Sequence, residues 1–290
     1  MRAWIRTLRP HQWAKNLLLF LPAVSAHAVW RPALVAHALA AFASFCLGAS
    51  ATYIINDLVD LPHDRAHHSK RSRPIAAGEL SVRAGLATTL AFGVGSLALA
   101  TLLPPAFAAT LLTYLGLTLT YTAILKRQSI LDVVALASLY ALRLVAGGAM
   151  ANVPLTGWFL AFSVFFFLSL ALVKRVSEVR HRPITSSDAI PGRGYVAQDL
   201  PVLTALGVGS AMASALVYCL YITGEDVRRL YAHPMRLWGG LPILLYWLGR
   251  IWLLAGRGAV HEDPVVFALR DRVSAVAFVA LLVVMFVAVR

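Results

Sequence analysis

Apolar residues along this chain neither alternate nor mark a single stripe. They run in blocks near 20 residues long, separated by short polar turns and two longer polar stretches. Wound as α-helices at 1.5 Å per residue, such blocks match the roughly 30 Å hydrocarbon core of a bilayer, and they are too long for strands. Nine runs are predicted: Leu17–Trp30, Ala33–Ile55, Ala84–Leu103, Ala106–Leu125, Ile130–Met150, Trp158–Val173, Leu200–Thr223, Leu237–Ala255 and Val273–Val289. The expected fold is all-α, a polytopic membrane protein of about nine transmembrane helices. The dyad alternation of a membrane β-barrel is absent. No linker composition divides the chain, so residues 1–290 are expected to form one transmembrane domain.

The punctuation supports this division. Pro22 is expected to kink the first run, Arg31-Pro32 to turn it into the second, and Pro104-Pro105 to reverse the third. Pro183, Pro191, Gly192 and Gly194 break the polar stretch Lys174–Asp199. Arg2, Arg6 and Arg9, followed by an apolar segment and Ala26-His27-Ala28, resemble a signal peptide. The charged part reaches Lys15 and the apolar run continues to Trp30, so a first spanning helix is the expectation.

Composition changes the picture in one respect. The chain is 59% hydrophobic and 13% charged, yet carries a formal charge of +13. An excess that large would suit nucleic acid in a soluble protein. Here twenty of the 26 Lys and Arg fall in residues 2–15, 65–83, 126–127, 174–193 and 250–272, all on one side if the helices alternate. The positive-inside bias accounts for them without nucleic acid. It places the N-terminus and both long polar stretches in the cytoplasm, with the protein in the inner membrane. Cys46 and Cys219 lie inside apolar runs, so neither a disulfide framework nor a zinc site is expected.

The chemistry concentrates between Tyr53 and Leu80. Asp57, Asp60 and Asp64 are three of only thirteen acidic residues, with Asn56 leading them and Arg65, Lys70, Arg71 and Arg73 behind. On a helix the three carboxylates fall within about 60° of one another, although Pro62 interrupts the path and places Asp64 on a bent or restarted segment. Three carboxylates on one stripe repel unless a cation lies among them. The bland alternative is a solvated acidic helix end paired with the adjacent bases. Because the stripe ends an apolar run in a chain poor in acids, a Mg²⁺ site with hard oxygen ligands is the favoured reading.

Asn56-Asp57-x-x-Asp60-x-x-x-Asp64 followed by Arg73-Pro74-Ile75-x-x-Gly78 resembles the first aspartate-rich motif of the UbiA superfamily of intramembrane prenyltransferases. The resemblance implies a UbiA-like bundle, with Mg²⁺ held by Asn56, Asp57, Asp60 and Asp64 against a diphosphate. The superfamily's aromatic prenyltransferases carry a second D-x-x-x-D pair between helices six and seven. This chain instead reads Lys174-Arg175-Val176-Ser177-Glu178-Val179-Arg180-His181-Arg182, with Glu178 as its one carboxylate. Leu8-Arg9-Pro10-His11-Gln12-Trp13-Ala14-Lys15-Asn16 is similar to the R-P-x-Q-W-x-K-N signature of the decaprenyl-phosphate phosphoribosyltransferases, and Glu262-Asp263-Pro264-Val265 through Asp271-Arg272 also looks like that branch.

That branch implies transfer of 5-phosphoribose from phosphoribosyl diphosphate to a polyprenyl phosphate, with release of pyrophosphate, toward a lipid-linked arabinofuranose donor. Asp57, Asp60 and Asp64 are the expected catalytic residues. Candidates for substrate contact are Lys15, Asn56, Lys70, Arg73, Lys126, Tyr140, Arg143, Lys174 and Glu178. Each has an ordinary reading too: interfacial anchoring for Lys15, positive-inside bias for Lys70, helix packing for Tyr140. An arginine inside a membrane helix is costly, so Arg143 is expected to meet either a phosphate or an acid on another helix rather than Asp132, three turns away. The alternative is an aromatic prenyltransferase such as a 4-hydroxybenzoate polyprenyltransferase, with Glu178 or Asp188 standing for the second pair. A lipid transporter is disfavoured, because no matched pair of broken helices is visible. Assembly into a homo-oligomer is compatible with the sequence, which sets no stoichiometry.

Overall fold

The computed structural model describes residues 2–27, 32–66, 70–180, 194–260 and 263–289, and every regular element among them is helical. In chain order they are α1 (Arg2–Leu8), a 3₁₀ segment (Pro10–Phe20), α2 (Leu21–Ser25), α3 (Pro32–Val59), α4 (Leu61–Ala66), α5 (Val82–Ala100), α6 (Pro105–Ala123) and α7 (Leu131–Ala151). There follow α8 (Gly157–Arg180), α9 (Leu200–Thr223), α10 (Glu225–Leu230), α11 (Gly240–Gly256), α12 (Pro264–Arg270) and α13 (Arg272–Val289). Short 3₁₀ turns at Lys70–Ser72, Leu125–Arg127, Ala197–Asp199 and Pro234–Gly239 complete them.

Eight helices among the described residues are long and apolar enough to cross a membrane, against the nine expected. The missing one is the first. Its run is not a single α-helix but eleven residues of 3₁₀ winding followed by five of α2. Pro10 opens the 3₁₀ segment and Pro22 sits at the start of α2, both where a missing N–H is tolerated. Sixteen residues would be short for an α-helical span. At about 2.0 Å of rise per 3₁₀ residue, however, the pair covers about 30 Å. With three residues per turn, Trp13, Asn16 and Leu19 lie on one face.

The helices fall into two compact units: residues 1–124 with 142–154, and residues 125–141 with 155–290. The division runs through α7, which gives its first half to the second unit and its second half to the first.

In the first unit α3 is the organising helix. It is apolar all round, so side-chain size, rather than polarity, marks its packed face. Ser44 Oγ donates to the Ser96 carbonyl of α5 at 2.8 Å, and Ser96 Oγ returns the bond to the Ser44 carbonyl at 2.8 Å. Such reciprocal bonds between membrane helices contribute roughly 0.6 kcal/mol each. Phe45 meets Phe107 and Tyr114 of α6, with ring centroids 5.7 and 5.0 Å apart. Gly147 of α7 lies so near the 3₁₀ segment that a Cβ there would stand 2.2 Å from the Leu19 carbonyl oxygen. The outer face of α5 shows Leu86, Leu90, Val94 and Leu97 at helical spacing, as a lipid-facing surface requires.

The second unit is built on the antiparallel pair α8 and α9, with α11 against both and α13 against α11. Packed indoles find partners: the buried Trp252 donates to Ser169 Oγ at 2.9 Å and the half-buried Trp247 to Ser274 Oγ at 2.8 Å. Asp271 caps α13, accepting from the Ser274 N–H at 2.8 Å and from both terminal nitrogens of Arg250 at 2.6 and 3.0 Å. These bonds outweigh the effect of burial and hold the Asp271 carboxyl below its usual range.

Candidate functional site

The acidic stripe lies where the sequence places it. α3 ends at Val59, Asp60 forms the joint, and α4 restarts at Leu61 with Pro62 in its first turn. The Asp60 N–H still bonds to the Asn56 carbonyl at 2.9 Å, and the Asp64 N–H to the Asp60 carbonyl at 2.8 Å. The break therefore costs no helical register, and three carboxylates remain on successive turns. Asp57 and Asp64 are buried, whereas Asn56 and Asp60 are half-buried.

Two arginines complete the group. Arg73 Nη1 donates to Asp57 Oδ1 at 3.0 Å and to Asp64 Oδ2 at 2.6 Å, so one nitrogen bridges both carboxylates. Arg9 Nη2 reaches the same Asp57 oxygen at 2.5 Å, with its guanidinium 5.4 Å from the Tyr53 ring centroid. The loop is held so that Arg73 arrives there. Ile75 is buried against Ile54 and Leu80, and Gly78 turns the chain with a φ of 78° that a side chain would resist. Arg6 fastens α1 to the far side of the loop through Glu79 at 3.1 Å and through the Ser72 carbonyl. The Arg, Ile and Gly of R-P-I-x-x-G thus each have a mechanical role.

The N-terminal signature docks along one line of α3. Trp13 Nε1 donates to Ser50 Oγ at 3.0 Å, and Ser50 Oγ to the Leu8 carbonyl at 3.0 Å. Ser50, Tyr53 and Asp57 lie at helical spacing, so Trp13 and Arg9 grip successive turns. Arg9 adopts a left-handed backbone, φ 52° and ψ 56°, immediately before Pro10. That conformation is costly for a non-glycine residue, by about 1–2 kcal/mol, and is sustained by the docked segment around it.

Deeper in the first unit Arg143 is buried beside two neutral partners: Nε donates to Asn16 Oδ1 at 3.0 Å and Nη2 to Tyr114 Oη at 2.8 Å. Asn16 in turn donates to Cys46 Sγ at 3.3 Å. These contacts tie Arg143 to the 3₁₀ segment and to α6 within the same unit. Lys15 is buried next to Asn16 in the 3₁₀ segment. The side chain of Lys70 lies outside the described residues, as do His67, His68, His181 and Asp188.

The second unit holds its own charged groups. Asp132 and Arg175 are fully buried, with Nε 2.5 Å from Oδ2. Tyr195 also donates to Asp132, and its hydroxyl accepts from the Ile130 N–H at 2.7 Å, steadying a β-branched residue at φ 66°. Burial and the adjoining Asp132 carboxylate push the Tyr195 hydroxyl far above its usual range. Glu178 accepts from Arg175, one turn earlier on α8. A second cluster gathers on Asp263: Tyr140 Oη donates to it at 2.9 Å, Lys174 Nζ lies 3.5 Å away, and the Val265 N–H bonds at 3.2 Å. The Tyr140 ring stacks on Phe167 with centroids 4.9 Å apart. Lys126 is buried in the turn before α7.

Among the described residues no three imidazole, thiolate or carboxylate groups stand together as a finished metal cage. The donor set nevertheless fits a hard divalent cation: an amide and three carboxylates on successive turns, two of which already converge on a single cationic nitrogen of Arg73. Sequence reasoning put none of Arg9, Asn16, Asp132, Arg175, Tyr195 and Asp263 among the candidate site residues, and weighed Asp132 only as a partner for Arg143. Arg9, Asn16, Arg175 and Asp263 did stand inside motifs quoted for other reasons.

Known proteins share this fold. The model of the UbiA prenyltransferase family matches residues 17–269. An uncharacterized protein, y4nM, of Sinorhizobium fredii is 41% identical over 94% of the chain, which spans only 53% of that relative's length. The nodulation protein NoeC of Azorhizobium caulinodans is 33% identical over 94% of the chain and 89% of its own length. The decaprenyl-phosphate phosphoribosyltransferase of Mycolicibacterium smegmatis is 32% identical over 95% of the chain and 89% of its own length. Among solved structures, a UbiA homolog from Archaeoglobus fulgidus bound to DMAPP and Mg²⁺ superposes with a TM-score of 0.74 over 98% of this chain and 99% of its own, at 17% identity. The family model and the full-length relatives point the same way, and this chain belongs to the UbiA prenyltransferase family, in the branch of the decaprenyl-phosphate phosphoribosyltransferases.

Proposed function

We propose that the chain transfers 5-phosphoribose from phosphoribosyl diphosphate to a polyprenyl phosphate at the cytoplasmic face of the inner membrane, releasing pyrophosphate. The product would lead toward a lipid-linked arabinofuranose donor. One observation carries the reading. Where aromatic prenyltransferases are expected to hold a second aspartate pair, α8 carries Lys174, Arg175 and Glu178, and the Glu178 carboxylate is engaged by Arg175. One acidic cluster is left for metal in a chain with abundant fixed positive charge, which suits a substrate rich in phosphate. The name of the Mycolicibacterium relative supports the same assignment.

Asn56, Asp57, Asp60 and Asp64 would hold Mg²⁺, which supplies Lewis acidity to the departing pyrophosphate. The lipid phosphate is already anionic at neutral pH, so no strong general base is needed. Its oxygen forms the new bond to the anomeric carbon as the carbon–oxygen bond to pyrophosphate breaks, through an oxocarbenium-like state. The chain's own work is to align two anions that repel each other. Lys15, Lys70, Arg73, Lys126 and Lys174 are the proposed phosphate contacts, with Tyr140 and Glu178 as candidates for ribose hydroxyls. Arg143 acts through Asn16, holding the residue next to Lys15 in place.

The test uses purified protein, ribose-labelled phosphoribosyl diphosphate and a polyprenyl phosphate. Label should enter the lipid phase only when Mg²⁺ and the lipid are both present. Absence of lipid label, with prenylation of 4-hydroxybenzoate from a prenyl diphosphate instead, would select the aromatic reaction.

A further inference from the structure

Arg73 holds an unusual place for a substrate-binding residue. Its Nη1 lies 3.0 Å from Asp57 Oδ1 and 2.6 Å from Asp64 Oδ2, between the two buried carboxylates of the acidic stripe. A phosphate-binding arginine and a carboxylate-bound cation cannot both use that space. Arg9 takes the same Asp57 oxygen from the other side at 2.5 Å. The two carboxylates are 3% exposed, while the Arg9 and Arg73 side chains are 20% and 25% exposed. The acids are therefore embedded and the arginines are the members with a path outward.

Their anchoring differs as well. Arg9 sits in a left-handed turn between α1 and the 3₁₀ segment, with Trp13 fastened to Ser50 one turn along. Arg73 reaches the site as a long side chain from a loop whose backbone is held by Ile75 and by Arg6 at Ser72 and Glu79, which leaves the guanidinium as the part free to move. Arg9 is built to stay and Arg73 to swing.

We propose that Arg73 is an internal stand-in for the divalent cation: metal entry displaces its guanidinium from between Asp57 and Asp64, and the released guanidinium takes up the incoming diphosphate. This rests on the reading that the stripe binds a divalent cation. Without diphosphate the metal must break two charge-assisted hydrogen bonds and leave a guanidinium unsatisfied, so it binds weakly. With diphosphate present the guanidinium gains a bidentate partner as it leaves, so metal and diphosphate tighten each other's binding, reciprocally by linkage. Arg9 remains on Asp57 throughout as a positioning residue.

The experiment titrates the full-length protein in detergent with Mn²⁺, read by the electron paramagnetic resonance signal of free Mn²⁺, with and without inorganic pyrophosphate. Wild-type protein should bind Mn²⁺ about 10-fold more tightly when pyrophosphate is present. Arg73→Gln should bind Mn²⁺ alone several-fold more tightly than wild type and lose most of the pyrophosphate effect. Its thermal midpoint should be lowered, and Mn²⁺ alone should restore it more than it raises that of wild type. Arg73→Lys, which keeps one positive charge without the fork, should fall between the two. Unchanged or weaker Mn²⁺ binding by Arg73→Gln, in protein that unfolds cooperatively, would overturn the exchange. Absence of Mn²⁺ binding by wild type even with pyrophosphate would instead overturn the metal reading beneath it.

Discussion

The two units each bury an aspartate against an arginine, and the pairs are not alike. In the second unit Asp132 and Arg175 are both 0% exposed, and Tyr195 and Glu178 take up further bonding capacity around them. In the first unit only the acids are sequestered, and their arginines keep a quarter or less of their surface open. A pair closed on both sides can only be a fixture, since separating it strands a charge in a poorly polarisable medium. A pair closed on one side can change partners. Chemistry requiring a cation to come and go belongs with the second kind, which is where the family motif lies.

The comparison can be broken most severely at the fixture. Arg175→Gln leaves Asp132 without its cation, and the protein should lose about 3–5 kcal/mol of stability, read as a large fall in thermal midpoint in detergent. Combining Arg175→Met with Asp132→Leu should recover most of that loss. Failure to recover would mean that the pair specifies the fold as well as neutralising itself.

At the exchangeable group the effect should move from stability to turnover. Asp57→Asn should cut kcat by about 10²–10³-fold while the thermal midpoint falls far less than in Arg175→Gln. An equal fall in midpoint would erase the distinction between the two pairs. Tyr195→Phe tests how far the fixture depends on its hydroxyl: losing the bonds to Asp132 and to the Ile130 N–H should cost about 1–3 kcal/mol.

The smallest effect belongs to an intermediate case. Arg250 and Asp271 are 23% and 15% exposed, and the Asp271 carboxyl sits below its usual range. Its contribution is therefore fully present above the ordinary aspartate value of about 4 and fades as pH drops through the lower folded value. The acid-side slope of thermal midpoint against pH should flatten in Asp271→Asn. An unchanged slope would assign acid sensitivity to other carboxylates.

Much of the frame was readable from hydropathy alone. The run Leu200–Thr223 coincides with α9, and most other long runs differ from their helices by one to three residues. Two departures have physical causes. Hydropathy ends the sixth run at Val173, yet α8 continues to Arg180, because Lys, Arg and Glu are good helix formers and Arg175 is buried by pairing with Asp132. The first run gave no sign of 3₁₀ winding, since both windings expose the same composition. The spacing of Asp57, Asp60 and Asp64 made their grouping evident within the chain. Arg9 and Asp57, 48 positions apart, or Tyr140 and Asp263, 123 apart, are joined only by packing, and no local pattern could join them.

The tight winding of Pro10–Phe20 has a further consequence: it acts as a ruler. Were those eleven residues to relax into an ordinary α-helix, the segment would shorten by about 5 Å, close to one full helical turn. Leu19 is clasped at the far end by Gly147, so the slack would be drawn from the near end, pulling Arg9 off its carboxylate. How stretched the thread is thus sets how far Arg9 can reach.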